Sequence, residues 1–320
     1  MPRTRIVVQG LGSIGTGLAR AAALDPAFHL TGAVDVDPAK IGQPLASFAA
    51  GVPGAVAPAL RDALDRGGGA DVLLLATSSR AGAVAPAIEE ALARRLHVVS
   101  TCEELAWPFE QHPELSRQLD ARARQAGRGV VGAGVNPGFV MDQIVVAAAA
   151  ASHSVRAVRA TRAVVPRVRR AQFQAKVGLG LGRADFDGRA AAGTVGHVGL
   201  AQSGRLVAAG LGFAVARWDE RLEPVQPDPA GPVAGVRQTL VGETADGRVV
   251  VELRFEAHTG VARSEDVIDI DGTPPLRLRF DGGVAGEEAT AATVLRAARV
   301  IAAARPGLLT VLDLPLRPAP

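Results

Sequence analysis

Arg5-Ile6-Val7-Val8-Gln9-Gly10-Leu11-Gly12-Ser13-Ile14-Gly15 decides the fold. A short β-branched run ends on glycine, and from Ile14 to Leu24 the apolar spacing turns helical. The glycines fit G-x-G-x-x-G, a weak pattern in a chain with 37 glycines. Here it follows a strand and opens a helix, and that context gives it meaning. The first glycine permits a tight turn, the second lets backbone approach a pyrophosphate, and the third allows close helix packing. The N–H groups of the first helical turn, at Ser13 and Ile14, then meet the anion. The next strand, residues 28–35, ends on Asp35, where a carboxylate accepts hydrogen bonds from an adenine-ribose hydroxyl pair. The competing reading is a plain turn at Gly10 and a solvated Asp35.

Outward from this loop, short apolar runs alternate with helical segments up to about residue 135. Strands are expected at 71–76, 96–100 and 130–135, and helices at 14–24, 61–66, 83–94 and 115–125. That alternation predicts an α/β domain with a Rossmann-type, doubly wound parallel sheet. After Asn136 the texture changes. Residues 141–151 and 194–213 read as helices, and 155–165 as a strand. Residues 235–241 and 248–257 read as a hairpin around Ala245-Asp246-Gly247, and 267–271 pairs with 276–280. A second, α+β domain with an antiparallel sheet follows, and then a last helix at 288–304. At roughly 150 residues per domain, 320 residues suit two domains. The division expected is 1–140 for dinucleotide binding, 141–287 for substrate, and 288–320 as a C-terminal helix and tail.

Composition narrows the function. With 48% hydrophobic and 21% charged residues the chain is an ordinary globular one. The isoelectric point near 9.9 misleads, because the net charge is only +3. With no Tyr, one Cys and only Lys40 and Lys176 as lysines, little titrates between His and Arg, so a small excess persists over a wide pH range. No basic run exceeds Arg167-Val168-Arg169-Arg170, so nucleic acid is not expected as a partner. A membrane partner is not expected either, since the longest uncharged stretch, 41–60, is broken by glycines and prolines. The lone Cys102 excludes an intrachain disulfide, and no signal-peptide pattern precedes the first strand. A cytoplasmic protein is expected, without a metal site.

In an open α/β sheet, ligands bind outside the carboxyl ends of the strands. Three strand ends carry polar clusters: Thr77-Ser78-Ser79 just after Ala76, Thr101-Cys102-Glu103-Glu104, and Asn136-Pro137-Gly138-Phe139. Helix capping by Thr77 or Ser78, a favourable charge at a helix start for the glutamates, and a turn at Asn136 are the plain alternatives. Their coincidence with a dinucleotide loop favours ligand contact. A carboxylate beside a nicotinamide can bind ammonium, take its proton and stabilise an iminium cation. A hydroxy-acid dehydrogenase would instead offer an Arg with a His or Lys. An aldehyde dehydrogenase would need an activated Cys, and no His neighbours Cys102. A carboxylate at Asp35, followed by Val36 rather than Arg, favours NAD(H), with NADP(H) possible.

Ser100-Thr101-Cys102-Glu103-Glu104-Leu105, Gly132 to Asp142 around Asn136-Pro137-Gly138-Phe139, and Gly196-His197-Val198-Gly199-Leu200 resemble one family. It is that of 2,4-diaminopentanoate dehydrogenase and the related native NAD(P)-dependent amine dehydrogenases. Gln174-Ala175-Lys176-Val177-Gly178 and the tail from Arg305 to Pro315 are similar to further family blocks. The resemblance implies a dihydrodipicolinate reductase-like fold, a C-terminal helix returning to the first domain, and a homodimer. It implies oxidative deamination of an amine with NAD(P)+, or reductive amination of a small ketone or aldehyde with ammonia. The catalytic glutamate falls at Glu103, with Glu104 as the alternative. Phe139 and Met141 would wall the substrate pocket, with His197 facing it from the second domain. The apolar Val164-Val165-Pro166 departs from what a diamino acid needs, and tilts the expectation toward a simpler carbonyl or amine.

Rival readings are weaker. Dihydrodipicolinate reductase carries a His-His and Lys segment that is missing here, and homoserine dehydrogenase has a lysine where Glu103 stands. A non-catalytic dinucleotide sensor would keep Gly10, Gly12, Gly15 and Asp35 but need neither Glu103 nor Asn136.

Overall fold

β1 (Thr4–Gln9) has β2 (Phe28–Val34) on one side and β3 (Val72–Leu75) on the other, both parallel to it. Connecting them are α1 (Ser13–Leu24) and α2 (Leu60–Gly67). The sheet continues through α3 (Ala81–Ala93), β4 (His97–Ser100), α4 (Pro113–Ala126) and β5 (Gly129–Gly132). These coordinates come from a computed structural model that describes residues 3–316. Every residue of β3, β4 and β5 is buried, as helices on both faces of a parallel sheet require. On one face Leu60, Leu73, Leu75, Val84, Ile88, Val98 and Leu119 form one core beneath α2, α3 and α4. Strand order reverses at β1, so the switch point for ligands lies at the carboxyl ends of β1 and β3.

The chain then leaves this unit. Val140–Val284 forms a second compact unit, and the residues from Ala285 onward rejoin the first. The second unit holds α5 (Gln143–Ala149), β6 (Ala157–Val164), α6 (Ala171–Lys176), α7 (Arg183–Ala191) and α8 (Leu200–Leu211). Its strands continue with β7 (Arg217–Pro224), β8 (Gly235–Glu243), β9 (Val249–His258), β10 (Glu265–Asp271) and β11 (Leu276–Asp281). They form one sheet in the order β11-β10-β6-β9-β8-β7. All pairs are antiparallel except β6 with β9, which is parallel, so the sheet is mixed. The β8–β9 hairpin closes where expected, with Gly247 N–H donating to Thr244 O. α8 packs on β8 and β9. Val158, Ala160, Leu240, Leu253 and Phe255 supply the buried positions of the alternating strands, while Arg159, Arg237 and Arg254 point to solvent.

Several boundaries differ from those read in the sequence. The helix expected from 194 begins only at Leu200, because Gly196 and Gly199 take φ of +103° and +107°, which end the helical path. The one at 141–151 shortens to Gln143–Ala149, where the Asp142 carboxylate caps by accepting from Gln143 N–H. The strand expected at 130–135 ends at Gly132. α6, α7 and β7 are additions the sequence reading did not contain.

Back in the first unit, α9 (Gly286–Val300) packs against α1, and β12 (Gly307–Leu309) adds a parallel edge strand to β5. Arg299 fixes α9 by a 2.6 Å ion pair to Asp25 and by lying over the Phe28 ring. No helix among the described residues is long and apolar enough to cross a membrane.

Candidate active site

The loop between β1 and α1 is shaped by three glycines in three different ways. Gly10 takes φ +90°, and a Cβ there would lie 2.6 Å from Ala76 O. A Cβ on Gly15 would fall 1.7 Å from Gly10 O, so the first turn of α1 is pressed onto the strand end. A Cβ on Gly12 would meet nothing within 4 Å. Gly12 is also the N-cap of α1, with neither a side-chain cap nor an acidic residue in the first turn. No acidic residue of the first turn therefore offsets the positive end of the helix at Ser13 and Ile14. These features fit a pyrophosphate.

Asp35 stands just beyond β2 and is 8% exposed. Its Oδ2 accepts from Leu11 N–H at 2.7 Å and from Lys40 Nζ at 3.1 Å, and its Oδ1 from Asp37 N–H at 2.9 Å. Burial pushes this carboxyl up, but the two backbone N–H groups and the Lys40 ammonium together hold it below the ordinary range. The hydrogen bond from Leu11 links Asp35 directly to the glycine loop between β1 and α1. Lys40 was not among the residues singled out from the sequence.

At the carboxyl end of β3, Ala76 N–H donates to Gln9 O, which places Thr77 against Gly10. Ser78 Oγ accepts from Arg80 N–H, so its hydroxyl serves the start of α3. At the end of β4, Thr101 N–H donates to Leu75 O, and Cys102 N–H to Ser100 Oγ. Burial pushes the Cys102 thiol up to about 12. It is a buried, protonated thiol and no nucleophile.

The two glutamates differ sharply. Glu104 is buried, with Oε1 accepting from Arg80 Nη1 at 2.7 Å and Oε2 from Ala81 N–H at 2.7 Å. His112 Nε2 lies 3.1 Å from the same Oε2. Burial raises the Glu104 carboxyl, yet Arg80, the Ala81 N–H and His112 bring it below its usual range. Glu104 thus caps α3 from the neighbouring strand end, and neither Arg80 nor His112 was foreseen. Glu103 is partly exposed and opens the 3-10 turn Glu103–Ala106. That turn lies on the end of β5, where a Cβ at Gly132 would come within 2.5 Å of the Leu105 carbonyl carbon. Asn136, also partly exposed, precedes Pro137 through a cis peptide in the loop after β5. Phe139 is half-buried there.

In the second unit, Met141 is 1% exposed. The His197 backbone is clamped on both sides by Gln238, whose Oε1 accepts from His197 N–H and whose Nε2 donates to His197 O. Its ring packs 5.1 Å from Phe255, and its Nε2 is buried without a hydrogen-bond partner. Burial, reinforced by Lys176 and Arg162, keeps the imidazole neutral, well below its usual range. Arg162 is itself buried and holds Asp266 through two 2.9 Å contacts. Among the described residues no group of three His, Cys, Asp or Glu side chains could hold a metal ion.

Comparison with known proteins places this geometry. The 2,4-diaminopentanoate dehydrogenase C-terminal domain matches residues 139–319. The chain belongs to this family. A curated relative, the 2,4-diaminopentanoate dehydrogenase of Acetoanaerobium sticklandii, is 26% identical over 99% of this chain and 94% of its own. The amine dehydrogenase from Mycobacterium smegmatis superposes with a TM-score of 0.84 at 23% identity, covering 99% of this chain and 97% of that one. GenD2 from gentamicin A biosynthesis, solved with NAD, shares the fold more loosely, with a TM-score of 0.56 at 21% identity over 88% of this chain and 73% of its own.

Proposed function

We propose that this family member is a nicotinamide-dependent amine dehydrogenase. It aminates a small ketone or aldehyde reductively with ammonia, and in reverse deaminates the amine oxidatively. The observation that carries this reading is the division of labour at the end of β4. Glu104 is buried and bound to the start of α3, while Glu103 is partly exposed and opens the turn that follows β4. When bound, the nicotinamide supplies hydride transfer.

The chain's own residues do the rest. Gly12 and the α1 N-terminus receive the pyrophosphate, and Asp35 the adenine ribose; NAD(H) is the favoured dinucleotide. The Glu103 carboxylate accepts a proton from the substrate ammonium, which frees the nitrogen lone pair. Once that proton has passed to solvent, the restored carboxylate holds the iminium cation by Coulomb attraction, about 4 kcal/mol at 4 Å for an effective dielectric near 20. In the aminating direction the same carboxylate binds ammonium and takes its proton, so that neutral ammonia can attack the carbonyl. The apolar stretch Val164-Val165-Pro166 supports a substrate without a second ammonium.

A second reading, a carboxylate-bearing amine such as 2,4-diaminopentanoate, draws on one observation. Lys176 and Arg169 add positive charge around His197 and around Arg162, which is already paired with Asp266, so an anionic group held there would be favoured. Oxidation of a panel of alkylamines and diamino acids, followed as NADH formation, separates the two. Turnover of simple amines supports the first reading, and turnover confined to diamino acids replaces it with the second.

A further inference from the structure

The end of β2 holds a feature that the choice of Asp35 alone does not explain. A carboxylate offers about four acceptor directions, and Asp35 has three taken: Leu11 N–H, Asp37 N–H and Lys40 Nζ. A ribose edge with two hydroxyls needs two acceptors. The backbone donors cannot leave, because Leu11 belongs to the phosphate loop and Asp37 to the turn in which Lys40 N–H donates to Asp37 O. Lys40 can leave. Its side chain is 27% exposed, carried on a flexible stem, and also lies 3.6 Å from Asp37 Oδ2. An ammonium displaced from Asp35 would keep Asp37 as its neighbour. It is one of only two lysines in the chain. Val36, the position from which an arginine would reach a 2′-phosphate, is 82% exposed and apolar.

We propose that Lys40 selects the cofactor: it yields its place on Asp35 to the ribose diol of NAD(H) and pairs with the 2′-phosphate of NADP(H), so that both dinucleotides bind. This rests on reading the first unit as a dinucleotide site. Without Lys40, Asp35 and Asp37 together would repel the 2′-phosphate; with it, one of the two negative charges facing the phosphate is offset.

The test is the dissociation constant of NADH and of NADPH, by fluorescence titration, for the wild type, K40M and K40R, with a thermal melt of each as fold control. Wild type is expected to bind both. K40M should weaken NADPH about tenfold, the loss of one charge-assisted contact, and tighten NADH a few-fold, since no ammonium then competes for Asp35. K40R should retain NADPH. If K40M leaves NADPH unchanged, or moves both dinucleotides in the same direction, Lys40 is not the selector. A wild type that binds neither overturns the dinucleotide reading itself, and this proposal with it.

Discussion

At the end of β4, adjacent glutamates meet opposite surroundings, and substitution should separate them. E104Q keeps an acceptor for Ala81 N–H but loses the ion pair with Arg80. Its stability should fall by about 1–3 kcal/mol in urea denaturation. E103Q should melt like the wild type and bind NADH as tightly, while turnover falls by about 100-fold or more. His97 gives a pH signature. Its Nδ1 accepts from Gly129 N–H between β4 and β5, and burial pushes the imidazole down to about 4. Between pH 6.5 and about 4 the unfolded chain therefore binds a proton that the folded one does not, and stability falls as pH falls through that window. The loss should approach about 3 kcal/mol at the acid end. H97N, whose side-chain oxygen can accept the same N–H, should flatten this part of the curve.

The β1–α1 connection makes a sharper test at the level of elements, because its glycines have different reasons to be glycine. G12A adds a methyl that meets no atom, so it should change stability by no more than about 1 kcal/mol yet weaken NADH binding at least tenfold, since it fills the phosphate cradle. G15A drives a methyl into Gly10 O and should destabilise by about 3 kcal/mol. Calorimetry and dinucleotide titration of both variants check this. The same elements show why part of the fold was legible. β3, β4 and β5 are apolar runs buried on both faces, and α1 opens on a glycine pattern with a physical cause. α6 buries no residue and α7 only Phe186, so neither has an apolar stripe to read. β7 is an edge strand with no fully buried position, and its sequence, RWDERLEP, carries no alternation of apolar and polar residues. The site divided in the same way. Asp35 and Glu103 follow from their places at strand ends, whereas Arg80 meets Glu104 across 24 residues of sequence and left no local signal.

Over the whole molecule, the chain crosses from its first unit to its second and comes back. The returning segment completes the parallel sheet: Leu308 and Leu309 are buried against β5, and Leu308 N–H donates to Asp120. Removing residues 305–320 should lower the urea midpoint strongly, the two leucines alone contributing roughly 1.5–3 kcal/mol each. That loss should reach the dinucleotide unit although every glycine of the phosphate loop is retained. Amine chemistry in this architecture would show itself in NADH oxidation with a panel of small ketones and aldehydes, with and without ammonium. We expect oxidation that requires both carbonyl and ammonium and disappears in E103Q. Oxidation that proceeds equally well without ammonium would make the protein a carbonyl reductase and contradict the role given to Glu103.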